Sequence, residues 1–444
     1  MKAETFERGI HPAYNKELSL GSVVDLALPT RVIIPLHQHI GAPSTPVVKK
    51  GDDVTEGQLI GDGTSFVSAP VHASISGKVK DIVMHPYPAG GSALSIIIEG
   101  DGVTRKDWGS VAGALDLGSM TVEELRSKIR AAGIVGMGGA AFPTSVKLSP
   151  PPEKKIDTVV LNGCECEPFL TSDHRIMVDT PLKVVWGLKA IMRAVGASKG
   201  VIGVEDNKTD AIEALSKAAK EISSDITITA LETKYPQGAE KMLIHAVLKR
   251  KVPLGKLPMD AGVVVNNVGT AAAIFDALKT GKPLIERIVT VSGNGINKPG
   301  NFRVRVGTPF EEVIEAAGGI KDGDEVVVIN GGPMMGIAQR TLDAPVVKGT
   351  SGITILQAKT VKPLSYKPCI KCASCVEACP MGLMPYKLAD MGRLEMAELF
   401  KEWSGTACIE CGCCSFVCPS KRPLVEWIRV GKIKLREAER KKSA

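Results

Sequence analysis

Nine of the eleven cysteines lie between residues 369 and 418, and eight of them form one pattern written twice. Cys369, Cys372, Cys375 and Cys379 follow a C-x2-C-x2-C-x3-C spacing closed by Pro380, and Cys408, Cys411, Cys414 and Cys418 repeat it with Pro419. Thiolates three residues apart on a tight loop can cap three irons of one [4Fe-4S] cube. The prolines help to stop the local helix and fix the last ligand. In a reducing compartment such clustering argues for metal ligation over disulfides. Zinc can use a C-x2-C pair, but it gives no reason for two whole tetrads with Cys-Pro endings. The C-terminal part is therefore expected to fold around two clusters. Cys413, beside a ligand, is read as non-ligating.

The 28 residues between Cys379 and Cys408 include MGLMPYKLADMGRLEMAELFKEWSG, with apolar positions at helical spacing. The stripe Met384, Leu388, Met391 and Leu394 is expected to be core packing. This arrangement resembles the α-helical two-cluster ferredoxin domain, in which a helical hairpin separates the ligand sets. In two-cluster ferredoxins the fourth cysteine reaches the other cube. The resemblance thus implies Cys369, Cys372 and Cys375 with Cys418, and Cys408, Cys411 and Cys414 with Cys379. Charge is uneven as well: from Lys421 onward there are nine Lys/Arg against three Glu, six of the net +7. This basic tail lacks interleaved aromatics, so nucleic acid is not expected as a partner. It reads as a solvated helix or a contact for acidic headgroups and partner proteins.

A length of 444 residues with 44% apolar content allows about three cored domains. Residues 31 to about 110 alternate short β-rich runs with turns, in TPVVKKGDDVTEGQLIGD and FVSAPVHASISGKVKDIVM. GDDVTEGQLI followed by SAPVHASISGKV resembles biotinyl and lipoyl carrier domains, which implies a barrel-sandwich. Residues 59–77 contain no lysine to bear a swinging cofactor, so the fold is expected without the carrier function. His37 and His39, at alternate strand positions without a third partner, are read as structural. The opening MKAETFERGIHPAYNKELS has no basic start followed by an apolar core, so no secretory signal is read and a cytoplasmic location is expected. No apolar run reaches the roughly 18–20 residues of a membrane span.

From residue 118 the rhythm becomes α/β. TVEELRSKIRAAG reads as a helix with a Thr121/Glu124 capping box and a Gly133 stop. Strand 156–163, helix 181–195, strand 200–205, helix 209–222 and strand 225–231 suggest an open, partly parallel sheet. The loop GMGGAAFPTSVK, residues 136–147, has the glycines that let backbone N–H groups come close to a phosphate. It fits neither the dinucleotide fingerprint nor the P-loop. Residues 284–350 return to strands, with RIVTVSG, NFRVRVG, a short helix FEEVIEAAGG and DEVVVINGGPMMG.

GMGGAAFPTSVK, NGCECEP at 162–168, YPQGAEKMLI at 235–244 and VVVNNVGTAAAI at 263–274 together resemble the flavin-binding domain of the NADH-oxidising 51-kDa subunit of respiratory complex I. More closely, the whole chain is similar to the RnfC family, the NADH-linked components of Rnf complexes, which are membrane-bound ferredoxin:NAD oxidoreductases. The resemblance implies FMN phosphate and ribityl against Gly136, Gly138, Gly139 and Lys147. Asn162 and Glu165 would line the flavin next, and Gly238, Glu240, Asn266, Asn267 and Thr270 would complete the pocket. Glu167 and Glu240 are the implied NADH contacts, with Phe142 at the pocket wall. Cys164 and Cys166 are read as small buried hydrophobes. No residue is expected to act as a general acid or base.

The organisation expected is a multidomain α/β and β chain. It comprises an N-terminal arm (1–30), a barrel-sandwich hybrid domain (31–115), an FMN/NADH-binding α/β domain (118–283), an SLBB-type β-grasp domain (284–350), a helical two-[4Fe-4S] ferredoxin domain (364–430) and a basic tail (431–444). The β-grasp domain is read as a spacer that sets the distance between flavin and clusters. The implied function is exchange of hydride between NADH and FMN and of single electrons with two [4Fe-4S] clusters. It would be coupled through membrane-embedded and ferredoxin-like Rnf partners to ion translocation, with the chain peripheral on the cytoplasmic face of the bacterial plasma membrane. The alternatives are a soluble corrinoid-reductase-type flavoprotein and a flavin-free electron-carrier scaffold.

Overall fold

The structure, a computed structural model, describes residues 3–109, 117–323, 325–361 and 365–443. The expected boundaries at 115 and 364 lie outside the described residues.

The β-rich N-terminal runs form two small sheets facing each other. One has the order Arg31–Pro35, Ser92–Glu99, Gly77–Pro86, Asp53–Val54, and the other Thr45–Pro46, Leu59–Asp62, Val71–His72. Alternate side chains, among them Val32, Ile34, Ile60, Val79, Ile96 and Ile98, point between them and are wholly or nearly wholly buried. His39 Nε2 accepts from the Ala69 N–H at 3.0 Å, and the His37 ring stands edge-on to the His39 ring at 5.8 Å.

The α/β unit is a four-stranded sheet, parallel throughout, in the order Ile226–Leu231, Lys199–Glu205, Thr158–Gly163, Val263–Asn267. Lys199–Glu205, Thr158–Gly163 and Val263–Asn267 are buried on both faces, as the inner part of a parallel sheet requires, whereas the edge strand Ile226–Leu231 is half-buried along its middle. The helix Val122–Ala131 starts with the full Thr121/Glu124 capping box. Helices Pro181–Val195 and Val268–Thr280 cross at Gly187, where an added Cβ would sit 2.0 Å from the Ala271 carbonyl oxygen. Only glycine allows that approach.

The β-grasp sheet differs from the expected 284–350 span. Its order is Val23–Asp25, Gly300–Arg305, Glu286–Ser292, Gly352–Gln357, Val326–Asn330, Ile337–Ala338. Gly352–Gln357 lies past the expected end and occupies a central place, parallel to Glu286–Ser292 and antiparallel to Val326–Asn330. The N-terminal arm supplies the edge strand, pairing parallel with Gly300–Arg305.

The C-terminal unit consists of the helices Ser374–Glu377, Pro385–Arg393, Ala397–Glu402, Cys413–Phe416 and Leu424–Ser443 around a small core with Leu388, Phe400, Leu424, Ile428 and Leu435. The expected tail at 431–444 is corrected. Residues on both sides of that boundary belong to one helix, and Leu435 is buried. Several of its charges are paired within the domain, Lys432 and Arg429 with Glu410 and Lys442 with Glu398. Of the expected Met/Leu stripe, Leu388 and Met391 are buried whereas Met384 and Leu394 are exposed.

The units are clamped together by buried polar contacts. Lys348, fully buried, donates to the Pro70 carbonyl (2.6 Å) and the Gly133 carbonyl (2.7 Å), joining three units.

Candidate functional site

The strands Thr158–Gly163 and Val263–Asn267 end side by side, with Asn162 opposite Asn267 in register. Ligands of open parallel sheets bind beyond this carboxyl edge. The glycine loop arches over it: the Gly136 N–H donates to the Phe142 carbonyl (2.9 Å) and the Met137 N–H to Thr270 Oγ1 (3.1 Å). Gly138 passes so close to Asn267 that a Cβ would lie 2.8 Å from its Nδ2, whereas Gly139 faces open space. The second glycine permits the packing, and the third leaves room for a ligand.

Most of the expected pocket residues come together at this edge. Lys147 Nζ bonds Glu240 (2.9 Å) and the Val265 carbonyl (2.7 Å). Asn162 Nδ2 donates to the Gly238 carbonyl (2.8 Å), and its Oδ1 accepts from the Cys164 N–H (3.1 Å). Asn267 caps the helix Val268–Thr280 through Gly269 N–H (2.7 Å) and donates to Asp173 (2.6 Å). Phe142 is half-buried at the loop.

Two of the expected glutamates also hold loops together. The Glu165 carboxylate accepts from the Asp173 and His174 N–H groups at 2.8 and 3.0 Å, capping the helix Ser172–Asp179. Its backbone is left-handed (φ 47°), which turns the side chain onto the helix start. Glu167, expected to contact NADH, accepts from the Met334 and Met335 N–H groups at 3.1 and 2.8 Å. It closes the seam between the α/β unit and the INGGPMMG loop. Burial pushes its carboxyl up to about 7, against the pull of those amides and of Lys16. Lys16 itself is buried and donates to the carbonyls of Glu165, Glu167 and Leu170, fixing the whole CECEP turn.

Buried polar atoms without a protein partner mark where a polar ligand fits. Near this edge they are Thr144 Oγ1, Asn266 Nδ2 and both side-chain amide atoms of Gln237. Unpaired buried groups of this kind are costly, so a donor- and acceptor-rich group such as a flavin ring or its phosphate chain suits them. Gln237, Thr144 and Asp173 are not singled out by the sequence, although the first two lie inside the YPQGAEKMLI and GMGGAAFPTSVK motifs. Asp173 is fully enclosed, and burial plus the Glu165 charge push its carboxyl up to about 7.

The eight tetrad cysteines separate into two neighbourhoods that cross the motifs. Cys379 lines one cavity together with Cys408, Cys411 and Cys414, walled by Leu383, Leu388 and Ile428 among others. Cys375 is raised first by burial and then by its neighbours Cys418, Cys369 and Cys372. Both loops turn alike: Lys371 (φ 59°) and Ala373 (φ 65°) match Glu410 (φ 56°) and Gly412 (φ 82°) at equivalent positions, all left-handed. Three of those four residues are not glycine, so the loops hold strain that wrapping a cluster would repay. Amide and hydroxyl groups point at sulfur, Glu410 N–H to Cys408 and Ser374 Oγ to Cys372, each 3.4 Å. Among the described residues no three His, Cys, Asp or Glu side chains converge on a single ion. Four ligands to the separate irons of a cube do not need to.

The two neighbourhoods differ in exposure. Cys369 and Cys372 are exposed, whereas Cys379, Cys411 and Cys414 are buried. The Cys411 side abuts the α/β unit: Tyr235 donates its hydroxyl to the Cys411 carbonyl at 2.7 Å, and Cys166 accepts from Gly238 N–H at 3.4 Å. Tyr235, Cys166, Cys411 and Cys413 share one buried apolar cluster. Cys164 packs as a small hydrophobe under the sheet, as expected.

Family models match the chain in four stretches: an RnfC barrel sandwich hybrid domain over residues 4–103, a Nuo51 FMN-binding domain over 129–276, an SLBB domain over 288–338 and a 4Fe-4S dicluster domain over 368–422. The chain is 49% identical to the RnfC-type component of the Na(+)-translocating ferredoxin:NAD(+) oxidoreductase complex of Acetobacterium woodii, covering 99% of both chains. It is 47% identical to the corresponding component of the proton-translocating complex of Clostridium ljungdahlii, covering 99% of this chain and 96% of that one. The corresponding component of the ion-translocating oxidoreductase complex of Rhodobacter capsulatus is 39% identical over 86% of this chain and 73% of its own length. Among solved structures, an NAD+-reducing [NiFe]-hydrogenase overlays 71% of this chain and 63% of its own at 18% identity, with a TM-score of 0.49.

Proposed function

This chain belongs to the RnfC family of ion-translocating ferredoxin:NAD(+) oxidoreductase complexes, and from that premise we propose that it exchanges hydride between NADH and FMN and single electrons with two [4Fe-4S] clusters. FMN, when bound, supplies the conversion between a two-electron hydride and one-electron carriers. The chain's own residues bind and place the groups. Gly136, Gly138 and Gly139 open the loop for the phosphate and ribityl, with Lys147 and Glu240 at its side. Asn162, Gly238, Asn266, Asn267 and Thr270 shape the floor, and Gln237 and Thr144 offer the unpartnered polar atoms. The NADH contact is assigned to the Glu240 and Phe142 side of the pocket. Glu165 and Glu167 hold the surrounding loops in place instead.

The observation that carries this reading is the link from pocket to cluster site. Gly238, at the pocket floor, bonds Cys166, and Tyr235, three residues earlier, bonds the Cys411 carbonyl. The cluster held by Cys379, Cys408, Cys411 and Cys414 would therefore stand nearer the pocket than the one held by Cys369, Cys372, Cys375 and Cys418, of which Cys369 and Cys372 are exposed. The protein would work within a larger complex, coupled to ion movement by its partners. Among the described residues no helix is long and apolar enough to cross a membrane. We place the chain on the cytoplasmic face of the membrane, attached through the other members of the complex. The barrel-sandwich and β-grasp units serve as rigid supports, the latter extended to include Val23–Asp25 and Gly352–Gln357.

The test is anaerobic purification, counting of iron and FMN, and mixing with NADH. Eight irons and one FMN per chain, with bleaching of the flavin band and reduction of the clusters, is the expected result. Eight irons without flavin, or no bleaching, would favour an electron-carrier scaffold.

A further inference from the structure

We propose that the surface around Cys369 and Cys372 is the docking face for an acidic electron-carrier protein, gripped by Lys367, Lys371 and Lys421 around an apolar centre of Tyr366 and Ile370. The inference rests on the reading above, since it takes the exposed cysteine set to hold the cluster at which electrons leave or enter.

The asymmetry of the two sets comes first. In one set Cys411 packs against Tyr235 and Cys166 of the flavin unit, whereas Cys369 and Cys372 of the other are exposed. A cluster with two ligands at the surface can exchange electrons with a partner that touches that surface.

The surface has the make-up of an interface. Ile370 is 67% exposed and Tyr366 57%, both beside the outer ligands. Tyr366 is not loose, because its ring stands edge-on to Trp427 at 5.3 Å. Three lysines surround this centre, and they come from both cysteine motifs. The Lys367 N–H donates to the Ser420 carbonyl (2.9 Å), Ser420 Oγ to the Pro368 carbonyl (2.9 Å), and the Lys421 N–H to the Cys418 carbonyl (3.0 Å). Those bonds place Lys367 and Lys421 on neighbouring strips of backbone, while Lys371 adjoins Cys372. All three are exposed, and among the described residues none is in an ion pair. Nearby basic residues are spent differently: Arg422 on Asp390, Arg429 and Lys432 on Glu410, Lys401 on Glu439. An opposing charge, Glu377, lies near Cys372, against three lysines.

An apolar centre ringed by unpaired charge of one sign steers a partner of the opposite sign and sets its orientation. A lipid headgroup would match the charge, but it cannot accept an electron. A carrier protein with its redox centre near an acidic surface satisfies both requirements. One electron crosses per encounter, oxidising this chain's outer centre and reducing the carrier's, or the reverse; no bond forms or breaks and no proton moves at the contact.

The test uses the full chain with both clusters, as wild type and as the K367E/K371E/K421E variant. Oxidation of the reduced protein is timed with anionic hexacyanoferrate(III) and with cationic hexaammineruthenium(III), and binding of a plant-type ferredoxin, an acidic protein, is titrated at low and high salt. The variant should lose about tenfold in both the anionic-probe rate and ferredoxin affinity, gain rate with the cationic probe, and show a reversed salt dependence. Iron content and bleaching of flavin by NADH should be unchanged. Equal behaviour of variant and wild type towards both probes would overturn the docking face. Absence of clusters or of NADH bleaching in the wild type would instead defeat the reading on which it rests. Phosphatidylglycerol vesicles form a further arm: binding abolished by the variant while ferredoxin binding persists would assign the lysines to lipid and reject the carrier. Should the reversal disturb assembly, K367Q/K371Q/K421Q removes the charge more gently and should give a smaller shift of the same sign.

Discussion

Glu167 shows how one buried carboxylate joins two units. Its ordinary value of 4.5 rises to about 7 on burial, so between those values the folded chain keeps a proton that the unfolded chain has released. Its contribution is therefore fully present below about pH 4.5 and is lost as pH rises through about 7. The Glu167→Gln substitution keeps a neutral side chain at every pH. Thermal unfolding followed from about pH 5 to pH 8 should fall less steeply in the variant, with a difference on the order of 3 kcal/mol across the window. The tetrad cysteines allow a sharper test. If the sets cross, Cys369→Ser with Cys418→Ser strikes one cluster and leaves about half the iron, whereas Cys369→Ser with Cys379→Ser strikes both. Iron counts and low-temperature paramagnetic spectra of the two doubles distinguish crossed from sequential ligation. The cysteines were legible because their spacing is itself the chemistry. The role of Glu167 was not, since its partners are main-chain amides 167 and 168 residues away that no side-chain pattern announces.

At the level of helices and strands, the α/β unit was readable almost to the residue, because capping boxes, terminal glycines and apolar periodicity are local signals. Pro181–Val195 and Thr209–Ile222 have the bounds expected from sequence. The strand Gly352–Gln357 was not foreseen. It is a short apolar run whose place is set by pairing with strands some thirty and sixty residues earlier, and the three-residue Val23–Asp25 is likewise defined only by its distant partner. The crossing at Gly187 gives the prediction for this scale. Gly187→Ala puts a methyl against the Ala271 carbonyl and should force the two helices apart. A loss of about 1–3 kcal/mol in chemical denaturation, with weaker FMN retention, is expected because Val268–Thr280 carries Thr270 under the glycine loop.

Across the whole molecule, the flavin unit meets the cluster domain where Tyr235 reaches the second cysteine motif. Tyr235→Phe keeps the ring and removes only the hydroxyl that serves the Cys411 carbonyl. The cost in stability should be about 1 kcal/mol. Rapid mixing with NADH followed by freeze-quench spectroscopy should show normal flavin reduction but slower arrival of electrons at the buried cluster. The division of the chain into units was visible from its changes of rhythm. What holds them against one another was not, because Lys348, Lys16 and Tyr235 act through carbonyls far away in sequence. The unequal shelter of the two cysteine sets also bears on how the protein ages. Sulfur ligands at the surface meet dissolved oxygen first. In air the outer centre should decay ahead of the inner one, leaving a chain that still takes electrons from NADH but can no longer pass them on.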